Sequence, residues 1–133
     1  MSGFLLDTNI PSEIIRAHPA PQVNAWVLAQ DDVTLHLSAI TIGELRKGLT
    51  ILPESNRRSQ LQDWLENDLI PLFTGRILAV TLTIADRWGV TKRHAADDLL
   101  AASALQDRLV VVTRNVRDNE DLGGTLLNPW EST

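Results

Sequence analysis

The chain opens on a short apolar run, Phe4-Leu5-Leu6, that stops abruptly at Asp7-Thr8-Asn9. A continuous apolar run bounded by turn residues predicts a strand buried on both faces, as in a parallel sheet. Residues 11–17 predict a short helix, started with the help of Pro11 and closed by His18-Pro19-Ala20-Pro21. Val23, Trp26 and Val27 recur at helical spacing in a second helix, which Asp31-Asp32 ends. Residues 33–37, Val-Thr-Leu-His-Leu, predict a second strand. In the third helix Thr41 is placed as N-cap with Glu44 three residues on, the pattern of a capping box, and Ile42, Leu45, Leu49 and Leu52 form its inward stripe before Pro53 stops it. Residues 54–73 predict a longer amphipathic helix with Leu61, Trp64, Leu65 and Leu69 inward, ended or bent by Pro71. Residues 76–81 predict a third strand, and residues 84–91 a short helix interrupted at Gly89. A helix of small residues follows over 95–108. The β-branched run 109–113 is the clearest strand in the chain, and 125–128 can form a last short one. Strands separated by helices imply βαβ units: an α/β fold, with a parallel sheet covered by helices on both faces.

Composition narrows the class without deciding the function. At 133 residues, 44% apolar and 22% charged, the chain is most simply one globular domain spanning 1–133. It has no cysteine, which removes disulfides and thiolate zinc sites. No apolar stretch approaches a membrane span and no leader precedes Phe4, so a soluble cytoplasmic protein is expected, with no membrane association. The net charge is −5, which argues against a general nucleic-acid binder. It leaves room for an enzyme whose acids are gathered in one cation-holding pit, because a bound cation inverts the local field.

The positions of the acids therefore matter more than their number. Asp7 follows the first strand, and Glu44 lies early in the third helix. Asp97 and Asp98 open the small-residue helix, and Asn115 and Asp118 follow the fourth strand. In a parallel sheet these junctions lie along one edge and can converge in a single crevice. Each group also has an ordinary local role: Asp7, Thr8 and Asn9 can cap a helix, Glu44 can close a capping box, Asp97 or Asp98 can cap or face a helix dipole, and Asn115 and Asp118 suit a turn. Helical projection does not cleanly separate Asp97 from Asp98, although Asp97 lines up with Ala101 and Ala104. A cluster of carboxylates repels itself unless a cation sits within it. Hard oxygen donors suit Mg²⁺ or Mn²⁺, and such an ion suits hydrolysis of a phosphodiester.

These same segments carry a resemblance. Phe4-Leu-Leu-Asp-Thr-Asn-Ile-Pro-Ser-Glu13, Leu37-Ser-Ala-Ile-Thr-Ile-Gly-Glu-Leu-Arg-Lys-Gly-Leu49, Ala96-Asp-Asp-Leu-Leu-Ala-Ala-Ser-Ala-Leu105 and Val112-Thr-Arg-Asn-Val-Arg-Asp118 are similar, in order, to the four motifs of the PIN-domain ribonucleases. The chain resembles in particular the VapC and FitB type toxins of toxin–antitoxin operons, and Asn128-Pro-Trp130 is similar to the FitB branch. The resemblance implies an α/β/α sandwich with a central parallel sheet and a Mg²⁺- or Mn²⁺-dependent endoribonuclease. It carries the family's core acids onto Asp7, Glu44 and Asp97, with either Asn115 or Asp118 as the fourth ligand. Thr113 matches a hydroxyl beside the site, and Thr8 and Asn9 match the polar residues after the first acid. The implied partners are an RNA substrate, a DNA-binding antitoxin that inhibits the site, and a second copy of the chain in a homodimer. Between the third strand and Asp97 the chain is several residues shorter than is usual for the family.

Two other functions fit the same fold class. A catalytically inactive scaffold of this shape would bind only a partner protein. A phosphoacceptor domain of the receiver type would need paired acids at the first strand's end and a lysine after a late strand, and neither is present. Arg46, Lys47, Lys92, Arg93 and Arg114 are candidates for a basic rim that positions RNA. His18, His36 and His94 have no ligand spacing and are read as non-catalytic. Trp26, Trp64 and Trp88 are read as core or interface anchors.

Overall fold

The alternation of apolar runs and helical stripes folds into a five-stranded sheet in a computed structural model that describes residues 3–90, 96–116 and 124–131, the side chains of residues 96–98 excepted. The strands are β1 (Gly3–Leu6), β2 (Leu35–Ser38), β3 (Ile77–Leu78), β4 (Leu109–Val112) and β5 (Leu126–Leu127), in the order β3-β2-β1-β4-β5. Every paired neighbour is parallel, with Phe4 opposite Leu35 on one side and Val110 on the other. The helices are α1 (Asn9–Ile14), α2 (Pro21–Ala29), α3 (Ala39–Thr50), α4 (Asn56–Asp63), α5 (Ile70–Leu72), α6 (Leu82–Gly89) and α7 (Ala96–Asp107). Among the described residues, no helix is long and apolar enough to cross a membrane.

β1 lies at the centre because its side chains are apolar on both faces. Leu6, Leu35, Leu37 and Val112 point to one face, where Ile10 of α1, Val23 of α2, Leu49 of α3, and Leu65, Leu69 and Phe73 cover them. Leu5 and Val111 point to the other, where Leu100 and Ala104 of α7 close a smaller cluster. Gly3 admits no side chain, since a Cβ there would lie 2.9 Å from Leu109 Cδ2 and 3.0 Å from the Thr34 carbonyl. Trp26 and Trp64 pack against the larger cluster as expected of core anchors, with Trp26 edge-on to Phe4 at 5.0 Å.

Several boundaries differ from the sequence reading, each for a local reason. α1 starts at Asn9, two residues before Pro11, and no side-chain cap precedes it. The second strand begins at Leu35, because Asp31 caps a 3-10 turn over Asp32–Thr34 that takes Val33 and Thr34. The capping box at Thr41 and Glu44 does not form. Ser38 is the N-cap of α3, accepting from the Ile40 N–H at 3.1 Å, while Thr41 is fully buried inside the helix. The helix expected over 54–73 runs from 56 to 72 with a π-helical turn at Trp64–Leu69, just before Pro71. A proline ring clashes with the carbonyl four residues earlier, and the wider turn gives that carbonyl room. β3 keeps only two residues of the expected 76–81, and Thr81 instead caps α6, whose last residue is Gly89. The shortened segment noted before Asp97 falls partly on residues 91–95, outside the described residues.

Candidate active site

The strand order places the site. From β1 the chain steps outward through β2 to β3, then returns to the other side of β1 for β4 and β5, so the topological switch lies between β1 and β4. Ligands in open α/β sheets bind in the crevice beyond the carboxyl ends of the strands at such a switch. Asp7 follows β1 and Thr113 follows β4, and the two side chains meet there: the Thr113 hydroxyl donates to Asp7 Oδ2 at 2.7 Å.

Asp7 is held from several directions. The Thr8 backbone N–H donates to its Oδ1 at 2.7 Å, and Asn9 Nδ2 lies 3.3 Å from its Oδ2. The same Asn9 amide reaches Thr113 Oγ1 at 3.3 Å, and the Asn115 N–H donates to that hydroxyl at 3.0 Å. Asn9 is thus a strut across the crevice and not a helix cap. Asp7 is only 5% exposed. Burial is the main force on its carboxyl and lifts its pKa above the ordinary 3.8, and the negative charge of Glu44 pushes the same way; the bonds from Thr113, Thr8 and Asn9 only partly oppose them.

Glu44, on the exposed side of α3, faces the same crevice. Its Oε1 accepts from the Thr8 hydroxyl at 2.7 Å, and the Thr8 and Thr41 hydroxyls lie 3.3 Å apart. The spacing that looked like a capping box therefore serves a contact between residues 36 positions apart. A cleft of about 240 Å³ runs from Thr8 and Glu44 along Leu45, Leu49 and Trp64 to Arg57.

The remaining candidates are placed to different depths. α7 ends at Asp107 and β4 begins at Leu109, so α7 runs back over about 18 Å toward the carboxyl edge of the sheet. Asp97 and Asp98 stand in its opening turn. Asn115 follows Thr113 on the crevice side of β4, and Asp118 lies outside the described residues. Of the basic residues, Arg46 is engaged with Glu66 at 2.8 Å, and Lys92 and Arg93 lie outside the described residues.

One acid escaped the sequence reading. Glu13 is 5% exposed, and its Oε2 accepts the Ala20 N–H at 3.0 Å while Oε1 pairs with Arg16 at 3.1 Å. Ala20 is the N-cap of α2 and has no side-chain acceptor of its own, so Glu13 supplies the cap from the neighbouring helix. The signal available was its place beside Ile10 and Ile14 on the inward face of α1. The Ala20 bond, with help from Arg16 and Arg114, holds the Glu13 pKa below its ordinary 4.5. A lowered folded-state pKa gives stability that is present above the unfolded value and lost as pH falls through the folded one. Glu13→Gln is therefore expected to melt at lower temperature than the parent at pH 7. In thermal scans taken from pH 7 downward, that difference narrows below about pH 4.5.

The donors suit a hard divalent cation. Asp7 is a buried carboxylate facing a second carboxylate, and among the described residues no lysine or arginine pairs with either. The described side chains alone do not make a group of three ligands. All are oxygen donors, the set that Mg²⁺ and Mn²⁺ prefer.

The chain is similar to known proteins along nearly its whole length. The sequence profile of the PIN domain matches residues 4–119. The chain is 39% identical over 137 residues to the VapC ribonuclease Y4jK of Sinorhizobium fredii, covering 96% of this chain and 98% of that protein. It is also 39% identical over 138 residues to toxin FitB of Neisseria gonorrhoeae, again covering 96% and 98%. The solved structure of FitAB bound to an IR36 DNA fragment contains a chain that superposes with a TM-score of 0.91 at 32% identity, covering 98% of this chain and 97% of that one.

Proposed function

Because this chain belongs to the PIN-domain family, in the branch of the VapC and FitB toxins, we propose that it is a divalent-metal-dependent endoribonuclease, the toxin of a type II toxin–antitoxin pair. The Asp7 carboxylate carries this reading. It is buried at the sheet's switch point, faces Glu44, and is held by three donors without a basic partner among the described residues. A structural acid in that setting would be paired with a cation from the chain or replaced by a neutral residue.

The ligands we assign are Asp7, Glu44 and Asp97, with Asp118 or Asn115 completing the set, and Mg²⁺ or Mn²⁺ as the ion. When bound, the ion supplies positive charge against the phosphodiester oxygens and lowers the pKa of water to a usable range. The chain's own residues do the positioning. Thr113 and the Thr8 N–H hold both oxygens of Asp7, one each, so the carboxylate cannot rotate away. The Thr8 hydroxyl turns Glu44 toward the crevice, where it orients the water that attacks in line with the leaving oxygen. Within this reading the whole chain is one catalytic domain, working in the cytoplasm as a homodimer. Its regulator is a DNA-binding antitoxin, as the FitAB complex on DNA supports.

The direct test is cleavage of a mixed RNA pool by the purified chain with Mg²⁺, with Mn²⁺ and with EDTA. Cleavage that requires the ion and is lost in Asp7→Asn supports the assignment; calorimetry that detects no divalent-ion binding would mark an inactive scaffold. Thr8 provides a finer test. Thr8→Val keeps the shape of the side chain but frees Glu44, and removing an outer-shell hydrogen bond of this kind costs about 10-fold or more in metal affinity. Thr8→Ser is expected to restore it, measured by calorimetric titration with Mn²⁺.

A further inference from the structure

Next to the carboxylates the chain builds a second feature that acid chemistry does not use. Arg114 directly follows Thr113, so its backbone sits one residue from the hydroxyl that touches Asp7. Its N–H donates to Asn9 Oδ1 at 3.4 Å, and its carbonyl accepts from Asn128 Nδ2 at 3.5 Å. Its guanidinium lies over the Trp130 ring, 5.2 Å from the centroid. Trp130 is fixed in turn: its N–H donates to Asn128 Oδ1 at 2.9 Å and its carbonyl accepts from Gln22 Nε2 at 3.1 Å. The arginine is exposed and the tryptophan half-buried. Among the described residues Arg114 forms no ion pair, and the nearby Glu13 already has its two oxygens on Ala20 and Arg16.

A strut that only secured Trp130 would need no exposed charge, and an aliphatic side chain would cover the ring as well. A guanidinium laid on an indole offers something else. It is a flat cation with hydrogen-bond donors at its rim, able to hold a phosphate and to carry a stacked base on its outer plane. The setting calls for one. The chain carries a net charge of −5 and the crevice is lined with acids, so a polyanion reaching Asp7 needs local compensation. Arg46, on the same helix as Glu44, is already engaged by Glu66.

We propose that Arg114 and Trp130 form a nucleotide platform for single-stranded RNA, holding the phosphate and base next to the scissile bond so that the bond lies at Asp7. The assignment rests on the nuclease reading for its substrate. It grips the bound substrate and the transition state alike, so its signature is in KM and in binding, not in kcat.

The test measures binding apart from cleavage. Fluorescence anisotropy of a labelled single-stranded RNA oligonucleotide is read with Asp7→Asn protein across a range of salt, alone and combined with Arg114→Gln, Arg114→Lys, Trp130→Leu or Trp130→Phe. Arg114→Gln is expected to weaken binding about 10-fold and to flatten the plot of log affinity against log salt by about 0.7, the loss of one phosphate contact on a single strand. Arg114→Lys should recover the salt slope but only part of the affinity, since a lysine keeps the charge and loses the plane. Trp130→Leu should weaken binding several-fold with an unchanged slope, and Trp130→Phe should recover part of it. In the cleaving protein, Arg114→Gln should raise KM by a similar factor and leave kcat within about twofold. Unchanged affinity and salt slope in Arg114→Gln would overturn the platform, whether or not its melting temperature falls, while cleavage by the parent chain would leave the nuclease reading standing. Failure of the parent chain to cleave any RNA would sink the nuclease reading instead.

Discussion

Asp7→Asn is expected to lose RNA cleavage by more than about 100-fold, beyond the ~10–100-fold that an outer-shell partner costs, and yet to melt at a higher temperature than the parent in metal-free buffer at pH 7. The two effects have one origin. Burial, with the charge of Glu44 adding to it, raises the Asp7 pKa, so ionising this carboxyl costs more in the folded state than in the unfolded chain. A raised folded-state pKa contributes stability that is present below the unfolded value of 3.8 and is lost as pH rises through the folded value. At pH 7 the ionised carboxylate is therefore a strained guest, and a neutral amide of the same shape relieves the fold. Divalent ions reverse the order. An ion that binds only the folded parent stabilises it by about 2.7 kcal/mol at 100 times its dissociation constant, and the amide variant gains little. Thermal scans of both proteins with EDTA and with Mn²⁺ check this directly. If the variant melts below the parent in EDTA, Asp7 has a structural role that outweighs its burial. If Mn²⁺ raises both melting temperatures equally, Asp7 is not a ligand.

Leu5→Ala is expected to cost about 2–5 kcal/mol of folding stability, the range for truncating a buried leucine. Leu5 is completely buried at the centre of the sheet, opposite His36 of β2 on one side and Val111 of β4 on the other. It also belongs to the smaller of the two clusters, where Leu100 and Ala104 hold α7 to the strands. The truncation leaves a gap beneath Leu100 and Ala104, and the helix and strand backbones that carry the surrounding side chains close over it only in part. Urea titration should show a lower midpoint with an unchanged slope. Because α7 carries Asp97 in its opening turn, the folded variant should also bind Mn²⁺ more weakly. Leu28→Ala, on a side chain that is 76% exposed, serves as the control and should shift stability by no more than about 0.5 kcal/mol.

Much of this site was legible in the residue order, though not the contacts that hold it. The apolar run ending at Asp7 was readable as a buried strand with an acid at its exit, and the β-branched run 109–113 as another. Glu44 reads both as a candidate for the crevice and as the closing residue of a capping box with Thr41, and only the capping box fails. Residues three apart also stand side by side on one helix face, so the Thr8 hydroxyl reaches both, and Ser38 wins the cap because the strand ends there in the extended conformation a cap requires. Thr8 likewise reads as a cap until the sheet brings α3 across the crevice. Its hydroxyl then goes to Glu44 and not to the backbone of its own helix. Glu13 gave even less away, since nothing local marks an acid as the cap of the next helix.

By itself the sequence determined the elements and the class of the fold. Apolar periodicity, proline and glycine punctuation act over a few residues, and the free energy of each strand or helix depends mainly on neighbours within that reach. The same local patterning put acids at the ends of strands. Only the tertiary structure decided which strands are neighbours, and hence that the switch falls between β1 and β4, where Asp7 meets Thr113 across 106 positions of chain. It also decided that Glu13 braces α2, that Thr8 faces Glu44 and that Arg114 lies on Trp130. Each of those polar groups has a satisfactory local alternative, so its partner is settled only when packing of the two hydrophobic clusters brings distant segments within hydrogen-bonding distance.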